Sequence, residues 1–181
     1  ESQSISLGVS CPDFSLKGTD NQIYSLNTYG DRKILVVGFT CNHCPYVQAY
    51  EERLNALAKK WKDRSVAFVC INSNDSISYP EDSFEKMIER AARLGFVFDY
   101  LRDENQTVAR AFNAACTPEF YVYDEKRFLR YHGRLDDSLK DPDAVKIWDL
   151  RTATEFAACH IPGATRIDDL HEIAQSVWAQ R

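Results

Sequence analysis

The feature that most constrains this chain is the run Ile34-Leu-Val-Val-Gly-Phe39, which stops just short of Cys41-Asn-His-Cys44-Pro45. Six apolar or glycine residues without alternation are too short for a helix and predict a central strand buried on both faces. After the motif, Val47, Tyr50, Leu54, Leu57, Ala58 and Trp61 recur at helical spacing. Pro45 suits a first helical turn, where its missing N–H costs nothing. A strand therefore runs into a C-x-x-C that opens a helix reaching about Lys62. Of six cysteines only Cys41 and Cys44 are paired in this way, whereas Cys11, Cys70, Cys116 and Cys159 stand alone. Cys70 lies inside an apolar strand and reads as core.

Around this unit the remaining elements follow from pattern. Residues 11–26 alternate apolar and polar side chains about the turn formers Lys17-Gly-Thr-Asp-Asn21, predicting a hairpin. Ser65–Ile71 is a second buried strand. Pro80-Glu-Asp-Ser83 opens a helix that stops at Gly95. A short strand over 96–101, a short helix over 105–112, and two strands at 119–123 and 128–133 complete the order. Parallel crossovers followed by a terminal hairpin predict an α/β three-layer sandwich. Beyond Arg134 a polar, acidic, turn-rich stretch reads as a linker. The expected division is a main domain over 1–143 and a tail over 144–181.

The chemistry expected of the motif is thiol–disulfide exchange. Free N–H groups and the positive dipole end at a helix start stabilise a thiolate, so Cys41 is expected to be a low-pKa nucleophile. Cys44, one turn along, would attack the mixed disulfide and release the substrate. Asn42 and His43 would tune the pair, His43 by adding positive charge or a hydrogen bond to the thiolate. Structural zinc needs four ligands, and no second C-x-x-C or H-x₃₋₅-H pair accompanies this one, so no metal and no cofactor are expected. Thr117-Pro118, just ahead of a strand, is either a cis turn that bares backbone for a bound peptide or an ordinary strand entry. Cys116, two residues before Pro118, is either an accessory thiol or a small loop residue.

Composition narrows the partners. Lys and Arg number 22 against 27 Asp and Glu, a net charge of −5, and no basic cluster is present, so nucleic acid is not expected. No apolar run approaches the ~20 residues that span a bilayer. A protein or small-molecule disulfide is the expected partner. The expected compartment is cytoplasmic, or periplasmic or exported if an N-terminal signal has been removed from a chain that starts at Glu1.

Together, the strand 34–39, Cys41-Asn-His-Cys44, the entry Cys11-Pro-Asp-Phe14-Ser-Leu16 and Thr117-Pro118-Glu-Phe120 resemble the thioredoxin superfamily. Specifically, they look like its peroxiredoxin-like and TlpA/ResA-like thiol-disulfide oxidoreductase branch, over roughly residues 5–140. The resemblance implies a thioredoxin-like fold with an added N-terminal hairpin, Cys41 as nucleophile, Cys44 as resolving thiol and a cis-Pro118 facing them. Two departures stand out. The tryptophan and buried aspartate of thioredoxins are replaced by Thr40 and Leu35, leaving no assignable proton acceptor. The threonine that peroxiredoxins place three residues before their reactive cysteine is Gly38 with respect to Cys41, and Cys41 itself with respect to Cys44. Peroxidase chemistry is thus the second expectation, and a non-catalytic interaction module the third. In the tail, Ile147-Trp-Asp-Leu-Arg151, Glu155-Phe-Ala-Ala158 and His160-Ile-Pro-Gly-Ala164 resemble the opening of a rhodanese domain. Cys159 sits where that pattern usually has glycine, so the tail is expected to be truncated and to lack the sulfurtransferase nucleophile.

Overall fold

In the computed structural model the described residues are 5–135, 148–149 and 165–166. The run that ends at the cysteines forms the strand β3 (Ile34–Phe39). Before it come β1 (Ser15–Gly18) and β2 (Ile23–Ser25). After it come α1 (Pro45–Trp61), β4 (Val66–Asn72), α2 (Phe84–Leu94), β5 (Asp99–Arg102), α3 (Thr107–Ala111), β6 (Glu119–Tyr123) and β7 (Leu129–Gly133). The seven strands make one sheet in the order β2-β1-β5-β4-β3-β6-β7. β3, β4 and β5 run parallel, and β6 and β1 close their two sides antiparallel.

Period-2 alternation divides the sheet between two cores. Leu35, Val37, Phe39, Val69, Ile71, Leu101, Tyr121 and Tyr123 face one side with Val108 and Phe112 from the α3 region. Cys70, Tyr100 and Phe120 face the other, under Leu54 and Ala58 of α1 and Met87 of α2. This is the three-layer α/β sandwich that the alternating strands and helices predict, and both faces being covered explains why β3 shows no polar alternation. Cys70 is in the core, as its strand implies, and burial pushes its thiol well up.

The largest local difference from the sequence expectation lies at residues 80–83. Rather than opening α2, Pro80–Asp82 form a separate 3-10 turn, and α2 starts at Phe84 with the Ser83 side chain capping the Lys86 N–H. That turn puts Asp82 fully inside the protein. Residues 96–98 are not strand; Phe96 and Phe98 stack with centroids 4.4 Å apart, and β5 begins only at Asp99. The N-terminal hairpin is no loose appendage, because β1 pairs with β5 and extends the main sheet.

Gly38 is required by close approach: a Cβ there would lie 2.7 Å from the Phe120 ring on the adjacent strand. Gly38→Ala is therefore expected to cost about 1–3 kcal/mol through overpacking, measurable as a lower urea midpoint with unchanged m-value.

The chain divides into two compact units, residues 1–135 and 136–181. In the second unit, β8 (Trp148–Asp149) pairs in parallel with β9 (Thr165–Arg166). Ile147, Phe156, Cys159, His160, Ile161 and Trp178, on which the expectations for the tail rest, lie outside the described residues. Among the described residues no helix is long and apolar enough to cross a membrane.

Candidate active site

β3 delivers Cys41 to the carboxyl edge of the sheet, where a bent segment leads to Cys44 at the N-cap of the 17-residue α1, with Pro45 in its first turn. Crevices at the carboxyl ends of parallel strands are where α/β sheets place their chemistry. Just ahead of the neighbouring β6 the Thr117–Pro118 peptide is cis, as the resemblance implies. Thr117 touches both thiols: its Oγ1 lies 3.3 Å from Cys41 Sγ, and its carbonyl accepts from Cys44 Sγ at 3.7 Å. The expected residues 41–44, 117 and 118 thus converge on one spot. Cys116 is exposed beside them, its N–H leaning on Glu119 Oε2 at 3.5 Å.

The electrostatics differ from expectation at Cys41. It is only 1% exposed, and burial pushes its thiol up rather than down. The Thr117 hydroxyl and the Cys44 N–H pull the other way, which is the helix-start effect expected, but desolvation and the nearby Asp82 charge outweigh them. Cys44 is the more accessible of the two. Behind Cys41 the cavity measures about 10 Å³, room for a water at most, between Val47, Tyr50, Leu54, Phe98 and Phe120.

His43 also differs. Instead of serving the thiolate directly, its Nδ1 pairs with Asp82 Oδ2, and its ring stacks on Tyr79 at 4.2 Å with an interplanar angle of 3°. Asp82 is the residue of this site that sequence reasoning missed. Its Oδ1 accepts the Asn42 N–H and the Asn72 amide, and its Oδ2 accepts the Asn74 amide besides His43. Burial alone would raise the Asp82 carboxyl, but these four donors together hold it below the usual carboxylate range. Asn42 is locked as well, with its amide donating to Glu81 O at 2.7 Å and its Oδ1 accepting from Tyr100 Oη at 2.9 Å. Cys41 Sγ, a His43 ring nitrogen and an Asp82 oxygen all lie within 4.8 Å of one another. The available signal was polarity: Asn72-Ser-Asn74 at the end of a buried strand faces the same carboxyl edge.

A second buried carboxylate, Glu119 at the start of β6, organises the loop that carries Thr117 and Pro118. It pairs with His132 Nε2 at 2.6 Å and accepts the Ala115 N–H at 2.9 Å. Burial works against its ionisation, but the His132 and backbone donors hold its carboxyl below the ordinary range.

A family model described as the AhpC/TSA family matches residues 7–132, and one described as a rhodanese-like domain matches residues 132–180. No curated protein matches the chain. The crystal structure of a hypothetical protein from Sinorhizobium meliloti 1021 is 39% identical with a TM-score of 0.74, covering 75% of this chain and 74% of that one. An uncharacterized conserved protein from Geobacillus kaustophilus is 44% identical with a TM-score of 0.72, covering 74% and 71%. The thioredoxin domain of a thiol-disulfide oxidoreductase from Bacteroides vulgatus, 12% identical with a TM-score of 0.61 over 71% and 89%, shares the fold alone. With residues 7–132 matched, the chain belongs to the AhpC/TSA family and has a thioredoxin-like fold.

Proposed function

We propose that this protein is a thiol–disulfide oxidoreductase in which the Cys41–Cys44 pair exchanges with a protein or small-molecule disulfide. The observation that carries the reading is the convergence on Thr117: both sulfurs contact this one residue, next to a cis proline, at the mouth of a helix start. In the forward direction the Cys41 sulfur attacks the substrate disulfide and one substrate thiol leaves. Cys44 then attacks the mixed disulfide, the second thiol leaves, and the two electrons now lost from the pair have reduced the substrate. Asn42 and His43 hold the motif through Asp82, and Thr117-Pro118 form the substrate-side wall. Cys116 is assigned no step.

Thiol peroxidase chemistry is less well supported. Peroxiredoxins place a threonine three residues before their reactive cysteine, and Gly38 stands at that position before Cys41. The decisive experiment equilibrates the chain against glutathione buffers and follows the Cys41–Cys44 disulfide by mass spectrometry. A single reversible two-electron transition, lost in Cys41→Ser, is the expected result. A pair that stays reduced at every poise would overturn the reading.

A further inference from the structure

Along the chain only Cys41 and Cys44 are paired at a metal-ligand spacing, and on that ground no metal is expected. The fold adds a carboxylate. Asp82 is brought to the motif, and Cys41 Sγ, a His43 ring nitrogen and an Asp82 oxygen all lie within 4.8 Å of one another. We propose that these three side chains form a zinc site in the reduced protein, and that a bound ion withholds Cys41 from disulfide exchange. The second part rests on the exchange reading above; the first does not.

Donor chemistry selects the ion. Thiolate, imidazole and carboxylate are the ligands of zinc, a borderline-soft cation, whereas magnesium and calcium take oxygen alone. One thiolate and one carboxylate balance a divalent charge, and the imidazole binds neutral. Asp82 suits this role because it is fully buried and held ionised. Its hydrogen-bond donors among the described residues are Asn42, Asn72, Asn74 and His43, none of them a lysine or arginine. A buried carboxylate so surrounded keeps a negative charge that a cation can neutralise. The Asn42 and Asn72 donors on Oδ1 and the Asn74 amide on Oδ2 orient the carboxylate, as outer partners do around metal ligands.

The geometry is close to what the ion needs. Ligand atoms on a tetrahedral zinc lie about 3.4–3.6 Å apart, given bonds of about 2.3 Å to sulfur and about 2.0–2.2 Å to nitrogen and oxygen. Movements of about 1 Å bring the cluster to that spacing. Asp82 stays, and His43 moves. Its Nδ1 is hydrogen-bonded to Asp82 Oδ2 at 2.5 Å, and the hydrogen between them is what the ion replaces. The ring is partly exposed and lies flat on Tyr79, so it can slide in its own plane with the two rings still parallel. On binding, Cys41 releases its S–H proton to solvent, and the imidazole exchanges its Nδ1 proton for one on Nε2. Nothing is oxidised or reduced. Cys44 stands outside the cluster, its Sγ turned to the Thr117 carbonyl at 3.7 Å, which leaves the fourth position to water.

The test is dialysis of the reduced chain against micromolar zinc chloride. Bound metal is measured by atomic absorption, and iodoacetamide alkylation of Cys41 by mass spectrometry. One zinc per chain is expected, with alkylation of Cys41 slowed by about tenfold or more while the ion is bound. Cys41→Ser, His43→Gln and Asp82→Asn should each weaken binding by about 10²-fold or more, since loss of even an outer partner costs about 10–100-fold. Cys44→Ser and Cys116→Ser should keep the zinc. Zinc lost in Cys44→Ser but kept in His43→Gln marks a plain dithiol chelate and overturns the proposal. A wild type that binds none overturns it, as does zinc retained in all three ligand variants, which places the ion elsewhere in the chain. Zinc bound with Cys41 alkylated at the metal-free rate overturns it as well. Should Asp82→Asn fail to fold by circular dichroism, the partly exposed His43→Gln decides. Failure of the exchange reading is separate, because it appears in the glutathione equilibration, run without zinc.

Discussion

Cys41→Ser is expected to lower the rate of disulfide exchange by about 10³-fold or more, because it removes the nucleophile and not merely a contact. Its partner, Cys44→Ser, should behave differently. Attack by Cys41 still occurs, but with no second thiol the mixed disulfide accumulates and turnover stops after one event. Incubation with oxidised glutathione and intact-mass analysis distinguishes the two: a stable adduct on Cys41 in Cys44→Ser, and none in Cys41→Ser. The reverse pattern, an adduct on Cys44 in Cys41→Ser, would give the first attack to the more exposed thiol. Neither substitution should alter stability much, since serine is close to cysteine in volume and Thr117 offers both positions a polar partner.

Glu119→Ala carries the largest expected effect on stability, about 3–5 kcal/mol. The carboxylate is 1% exposed, and its loss leaves His132 without its partner and the Ala115 N–H unsatisfied. Glu119→Gln keeps an acceptor and should cost less. The same group has a pH signature that can be signed. Glu119 and Asp82 both have folded-state carboxyls held below their ordinary values. At acid pH the unfolded chain then binds more protons than the native one, so the stabilisation is complete above the ordinary carboxylate range of ~4. It is lost as pH falls through the lowered folded values. Urea midpoints should drop between about pH 5 and pH 2 in the wild type and drop less in Glu119→Gln. A midpoint that rose on acidification would contradict the hydrogen bonds assigned to both groups.

Much of the fold was legible because burial on two faces leaves a plain mark. The unbroken run 34–39, the helical spacing after Pro45 and the glycine that ends α2 are local signals, and each element formed within a few residues of its expected place. Residues 80–83 misled because Pro and Ser are helix-start residues in either arrangement. Whether the helix begins at Pro80 or Phe84 depends on where Asp82 can find four donors, and all four come from outside residues 80–83. Residues 96–98 misled for a related reason: aromatic residues favour strands, but here Phe96 and Phe98 stack under the helices.

What this sequence determined alone was the motif, its place between a buried strand and a helix, and so the two thiols and the proline loop expected to face them. Those depend on order and spacing along the chain. Only the tertiary structure decided the charge state of the site. It buried Cys41, turned His43 toward Asp82, and set Glu119 beneath the proline loop. A thiol's reactivity depends on desolvation and on the charges within a few ångströms. Asp82 reaches Asn42 and His43 from some forty positions away along the chain, a distance that no local pattern encodes.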